Sequence, residues 1–156
     1  MTRLRGRNLI GQRVNDKAPV NYESTTMISS VDIKGKTNCL VIKGAMNGEI
    51  FKKYVSKILA PKLEKGDIVI MDNLSSHKNQ DAIKKIEKLG AKVLFLPPYS
   101  PDYNPIEKMW SKVKEYLRSV KARNWDDLIK AIQQGLNKVS SQDCIGWFQS
   151  CGYLSA

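Results

Sequence analysis

The chain has 156 residues, 42% of them hydrophobic, which is enough for one domain around one core. No apolar run approaches the ~20 residues of a membrane helix. The basic start, Met1 to Arg7, is not followed by the apolar stretch of a secretory leader. The net charge is +11, an imbalance that opposes compaction unless a polyanion is near, so nucleic acid is the leading partner class. Charge alone does not say which nucleic acid, or whether a reaction occurs.

Residues 1–24 are basic, turn-rich and without periodicity, and read as an arm. Its Arg3, Arg5, Arg7 and Arg13 are candidate phosphate contacts or a solvated tail in equal measure. Two β-rich runs, 25–33 and 37–43, flank Lys34-Gly35-Lys36 and predict an antiparallel hairpin. Asp32, near the hairpin end, is assigned to turn chemistry rather than to a metal. Asn47-Gly48 stops the sheet. Ile50, Phe51, Tyr54, Val55, Ile58 and Leu59 then recur at helical spacing, predicting a helix over 48–60 that Pro61 ends or kinks.

Ile68 to Met71 reads as a buried strand ending at Asp72-Asn73. A helix is predicted over 79–89, with Ile83, Ile86 and Leu89 inward and Gly90 closing it, followed by a strand over 92–96. Strand, helix, strand in that order predicts a parallel crossover, whose ligands gather at the carboxyl ends of the strands. Ile106, Met109, Trp110, Val113 and Leu117 form the stripe of a helix beginning near Asn104. Asn124 caps another helix to about Lys138, with Leu128, Ile129, Ile132 and Leu136 inward. A last short helix starts at Ser140 and carries Ile145, Trp147 and Phe148. No repeat or inter-domain linker interrupts residues 1–156, so the whole chain is expected to be one domain. The three cysteines, Cys39, Cys144 and Cys151, lack metal-ligand spacing and read as packed, reduced thiols of a cytoplasmic protein.

Two acids stand out. Asp72 is expected at the carboxyl tip of a strand, where by itself it would serve backbone amides of the next turn. Glu107 lies at the third position of a helix opened by Asn104-Pro105, where by itself it would close a capping box. Four of the chain's six prolines (97, 98, 101 and 105) fall in nine residues before Glu107, so a stiff loop delivers that acid. Two carboxylates on rigid elements, in a chain of strong positive charge, suit divalent metal chemistry on a polyanion. His77 could tune that site or contact the phosphate, and the blander reading, a hydrogen-bonded turn residue, is slightly favoured. Tyr99 and Tyr103 are read as wedges that fix the loop to the core, with base stacking as the alternative.

Val69-Ile70-Met71-Asp72-Asn73-Leu74-Ser75-Ser76-His77-Lys78 and Leu96-Pro97-Pro98-Tyr99-Ser100-Pro101-Asp102-Tyr103-Asn104-Pro105-Ile106-Glu107 resemble the second and third catalytic motifs of DDE transposases. The chain is most similar to the mariner-related group of bacterial insertion sequences, and the 34 residues between the two acids fit that group. The resemblance extends to the Met1 to Arg7 segment, Asn47-Gly48, Phe51 and Cys151-Gly152-Tyr153. It implies an α/β, ribonuclease H-like mixed sheet flanked by helices, and Mg²⁺ or Mn²⁺, two ions in a complete site. It implies a reaction that cuts transposon ends and transfers the freed 3′-OH to target DNA, in a homo-oligomer associated with the nucleoid.

Carried over, Asp72 and Glu107 are the catalytic metal ligands. Asn73 and His77 beside them are candidate accessory residues. Lys78, Lys108 and Lys112 join the arm arginines as DNA contacts. The family's first catalytic Asp belongs to a strand preceding the arginine-rich segment that opens this chain, and neither Asp16 nor Asp32 matches it. The expectation is therefore the C-terminal part of a transposase that lacks the first strand and is weakly active or inactive alone. The competing expectation is a non-catalytic DNA-binding or assembly fragment that regulates or complements a full-length transposase. An unrelated metal nuclease of the same fold ranks third.

Overall fold

The computed structural model describes residues 24–154 together with Ile10, so most of the basic arm, including its four arginines and Asp16, lies outside the described residues. Strands β1 (Thr25–Val31) and β2 (Thr37–Lys43) pair antiparallel, Ile28 opposite Leu40. Asp32 does serve the turn, its carboxylate accepting the Lys36 amide at 2.8 Å. Gly35 has φ +85. A Cβ there would lie 2.9 Å from the Ser141 backbone nitrogen, so the turn needs glycine both for its backbone and to lie against the start of the last helix. Alternation then gives the hairpin two apolar faces. Ile28 and Leu40 join one core, while Met27, Val31, Cys39 and Val41 pack against a second.

The first core is built by the middle of the chain. The Asn47 side chain accepts the Ile50 amide at 2.9 Å and opens α1 (Gly48–Tyr54). The predicted helix over 48–60 is present but not uniform. It loosens to a π-helical turn over Val55–Leu59 and tightens to a 3₁₀ turn over Ala60–Lys62. Pro61, without an amide hydrogen, cannot continue the regular ladder. β3 (Ile68–Met71), α2 (Gln80–Lys88) and β4 (Lys92–Phe95) follow, and β3 and β4 pair parallel, Ile70 opposite Leu94. Val69, Met71, Val93 and Phe95 lie on this core with Phe51, Val55 and Ile86.

Two expectations fail here. β3 is not buried on both faces: Ile68 is 61% exposed and Leu94, on the same side of the ladder, is 47% exposed. Leu89 also lies outward, because α2 ends one residue before it and the chain turns through Gly90 at φ +81.

The second core lies on the other side of the hairpin. α3 (Pro105–Val120), α4 (Trp125–Leu136) and α5 (Ser141–Ser150) bury Met109, Val113, Ala131, Ile132 and Cys144. Asn124 caps α4 through the Asp127 amide, 2.8 Å. Ser140 and Asp143 form a reciprocal capping box at α5. Asp143 also receives Lys112 of α3 at 2.5 Å. Ile145 is exposed. α3 ends on Lys121 in the left-handed conformation, φ +54, a stop that no glycine announces.

The chain is thus mixed α/β, with helices against small sheets. One mixed sheet was expected. Among the described residues there are instead two separate two-stranded ladders, β1–β2 and β3–β4. An antiparallel hairpin and a parallel pair become one sheet only through direct pairing or an intervening strand, and neither occurs among these residues.

Candidate active site

Asp72 follows the last residue of β3 and stands at the carboxyl end of the parallel ladder. Its Oδ1 accepts the Leu74 amide at 3.3 Å, a long bond for a turn-capping role. Oδ1 also lies 2.6 Å from Nδ1 of His77. His77 sits in a 3₁₀ turn over Ser75–Lys78, its own amide bonded to the Leu74 carbonyl at 3.0 Å. Its ring lies 4.5 Å, centroid to centroid, from that of Phe51 on α1. Asn79 then caps α2 through the Ala82 amide, 3.1 Å, and donates to the Gly48 carbonyl, 3.2 Å, fixing the turn to the start of α1. From the residues alone His77 stood between a turn residue, slightly favoured, and a group that tunes the site or contacts the phosphate. Phe51 was read as core and as part of the family resemblance, with no role at the site, because an aromatic at helical spacing carries no signal of a second contact.

The proline loop leaves the same end of the ladder. The Leu96 amide donates to the carbonyl of Met71, the residue before Asp72, at 2.8 Å. A 3₁₀ turn over Pro101–Tyr103 leads to Asn104, the N-cap of α3. The capping box considered for Glu107 does not form. Asn104 makes no side-chain cap bond, and Glu107 is exposed, its carboxylate unpaired among the described residues.

Tyr99 is not a wedge: its side chain is fully exposed, and its φ of +57 is a left-handed conformation unusual for tyrosine. Tyr103 is half exposed, and its carbonyl accepts the Tyr153 hydroxyl at 2.7 Å. That bond, rather than ring packing, ties the loop to the C-terminal segment.

The donor chemistry of these acids suits Mg²⁺ or Mn²⁺. Such ions take hard oxygen ligands, often one or two carboxylates completed by water and substrate phosphate. Asp72 presents a second oxygen with no hydrogen bond among the described residues, and Glu107 presents both of its own. No group of three or more His, Cys, Asp or Glu able to hold a metal occurs among the described residues. A complete three-carboxylate centre is therefore not formed by them.

Of the expected DNA contacts, Lys78 is exposed and Lys108 half-buried. Lys112 is ion-paired to Asp143, and this hydrogen bond, followed by the Ser140 amide, lowers the Asp143 carboxyl to about 2. Among the cysteines, burial pushes the Cys39 thiol up to about 11, which leaves it inert at neutral pH. A groove of about 310 Å³ between β2 and α4, lined by Cys39, Val41, Ile132 and Leu136 among others, includes neither acid.

A family model described as DDE superfamily endonuclease matches residues 1–129. The chain belongs to this family. Its matched region contains both acids, the histidine turn and the proline loop. The chain is also 32% identical over 94 residues, 60% of its length, to the human protein histone-lysine N-methyltransferase SETMAR. It spans only 14% of that relative's length. Membership gives the strand-end Asp72 and helix-start Glu107 a shared context in a nuclease family that typically uses divalent metals. No helix among the described residues is long and apolar enough to cross a membrane.

Proposed function

We propose that this chain is the catalytic core of a transposase of the DDE endonuclease family, acting on DNA phosphodiesters with Mg²⁺ or Mn²⁺. The observation that carries the reading is Glu107. It opens α3 at the end of a stiff proline loop, and its carboxylate is exposed and, among the described residues, engaged neither in a cap nor in an ion pair. A structural glutamate at this position would close the capping box. Asp72 is its partner acid, at the ladder end from which that loop departs.

In this reading Asp72 and Glu107 would hold the ions, with Asn73 and His77 supporting them. The bound metal supplies an activated oxygen nucleophile and neutralises charge on the scissile phosphate. Lys78 and Lys108, with Arg3, Arg5, Arg7 and Arg13 of the arm, hold the DNA backbone, and Lys112 joins them only by leaving Asp143. The substrates are transposon ends and target DNA, as in the mariner-related insertion-sequence group. The working form is a homo-oligomer on the nucleoid.

The full fold is ribonuclease H-like, with one more strand and one more carboxylate supplied from outside the described residues. Two observations support this. The two ladders lie separate, and no group of three or more His, Cys, Asp or Glu able to hold a metal occurs among the described residues.

The net charge of +11 also supports a second reading, a DNA-binding fragment that regulates or complements a longer transposase. Mn²⁺ calorimetry and nicking of supercoiled DNA separate the two. The first reading expects Mn²⁺ binding weakened about tenfold or more by Glu107→Gln and by Asp72→Asn, and any Mg²⁺-dependent nicking lost in both. Salt-sensitive DNA binding with metal affinity untouched by either substitution would discard it and favour the second.

A further inference from the structure

We infer that His77 and Phe51 clamp the Asp72 carboxylate, fixing which oxygen faces the metal. His77 is then a positioning residue. The inference rests on the reading of Asp72 as a metal ligand and adds how that ligand is aimed.

The turn after β3 presents two groups to one oxygen of Asp72. The Leu74 amide donates to Oδ1 at 3.3 Å, and Nδ1 of His77 stands 2.6 Å from the same atom. The opposite oxygen has no hydrogen bond among the described residues. A carboxylate held by one oxygen presents only the other, and outer groups that orient metal ligands in this way are worth 10–100-fold in affinity.

The imidazole is itself held. Its side chain is 16% exposed against 41% for that of Asp72, its amide closes the 3₁₀ turn on Leu74, and its ring lies tilted 40° over Phe51. Phe51 is buried in the first core, so the ring cannot swing away on that side. The ring N–H does not lie along the line to Oδ1, and Nδ1 has no aligned hydrogen-bond partner. The 2.6 Å contact is therefore a close approach waiting for alignment. A buried ring nitrogen without a partner is unfavourable. A small rotation of the carboxylate onto the N–H direction removes that cost and commits Oδ1 to the ring. A histidine that merely filled space over Phe51 would show the ring contact without a carboxylate at Nδ1.

His77 is the chain's one histidine, so ¹⁵N-histidine labelling gives a spectrum of this ring alone. At a pH where the ring is neutral, the clamp expects the Nδ1–H tautomer in the wild-type chain. Asp72→Ala should return it to the Nε2–H form that free imidazole prefers. An Nε2–H tautomer in the wild type would overturn the clamp, and so would Mn²⁺ binding directly to Nδ1.

Mn²⁺ calorimetry supplies the second readout. His77→Phe keeps a ring on Phe51 and removes the donor, and should weaken binding about tenfold. His77→Asn puts an amide nitrogen near the Nδ1 position and should restore most of the affinity. Equal binding by His77→Phe and the wild type would also overturn the clamp. An Nδ1–H tautomer in a chain that binds no Mn²⁺ would instead sink the metal reading of Asp72 and leave the clamp standing.

Discussion

The two ladders of this molecule are built from similar apolar strands and end in different states. The hairpin β1–β2 is covered on both faces, by α1 and its neighbours on one side and by α3, α4 and α5 on the other. The parallel pair β3–β4 is covered on one face only, and Ile68 and Leu94 stand in solvent on the other. Parallel strands are ordinarily buried on both faces. The hairpin is therefore the finished part of the structure, and the ladder that ends at Asp72 is the part still open to a partner. The stability of the chain resides in one region, and its candidate chemistry in the other.

The sharpest way to break this contrast is to uncover the hairpin. Met109 on α3 is fully buried in the core beneath it. Met109→Ala should cost about 3 kcal/mol, from lost burial and the cavity left behind. Urea unfolding followed by tryptophan fluorescence would read it, and a loss below about 1 kcal/mol would mean that the second core is loose in solution.

A smaller effect is expected at the ion pair that fastens α5 to α3. Asp143 is held down to about 2 by Lys112 and then by Ser140. Its folded pKa lies below the unfolded value of about 3.9, so its contribution is complete above pH ~4 and is lost as the pH falls toward 2. Much of Asp143 faces water, so screening reduces this contribution to about 1 kcal/mol. Asp143→Asn should remove that step from the stability–pH curve. A variant whose acid profile matched the wild type would remove Lys112–Asp143 as a fastening of the finished region.

The same division governs what the residues disclose in advance. The elements followed from local rules: turn chemistry at Gly35, caps at Asn124 and Ser140, and apolar spacing along α2 and α3. Asp72, His77 and Glu107 could be picked out because rigid elements and a proline-dense loop are written in consecutive residues. What was hidden depends on distant neighbours. Nothing in Phe51 marks it as the face on which His77 lies, since its spacing serves the core equally well. Nothing in Tyr99 marks its outward, left-handed placement, and an aromatic between prolines is more simply read as packed. The single mixed sheet was not found among the described residues for the same reason, since whether two ladders join depends on residues far apart in the chain.

Tyr99 gives a third, smaller test, on the open side. The loop that leaves the parallel ladder stores backbone strain at its φ of +57, and the exposed ring gains no burial in return. Tyr99→Gly should relieve that strain and offset most of glycine's unfolded-state entropy, leaving stability within about 0.5 kcal/mol or slightly raised. A loss above 1 kcal/mol would show that the ring packs in solution and that this side is less open than its exposure suggests.

A paired substitution tests the contrast most directly. Leu94 and Ile28 are both apolar strand residues, the first on the uncovered face of the ladder and the second buried between the hairpin and α1. Leu94→Thr exchanges a half-exposed side chain for one that suits a strand equally well, and should change stability by less than about 1 kcal/mol. Ile28→Thr puts a hydroxyl into the first core and should cost about 2–3 kcal/mol. The pair of urea curves is compared with light scattering on the same samples, because an exposed apolar strand face drives self-association. Leu94→Thr should lower scattering while leaving the unfolding midpoint nearly fixed. If it instead lowers the midpoint as far as Ile28→Thr does, then a second copy or another segment already covers the ladder in solution. The open site would then be closed in the working protein, and Asp72 would be approached from the loop side alone.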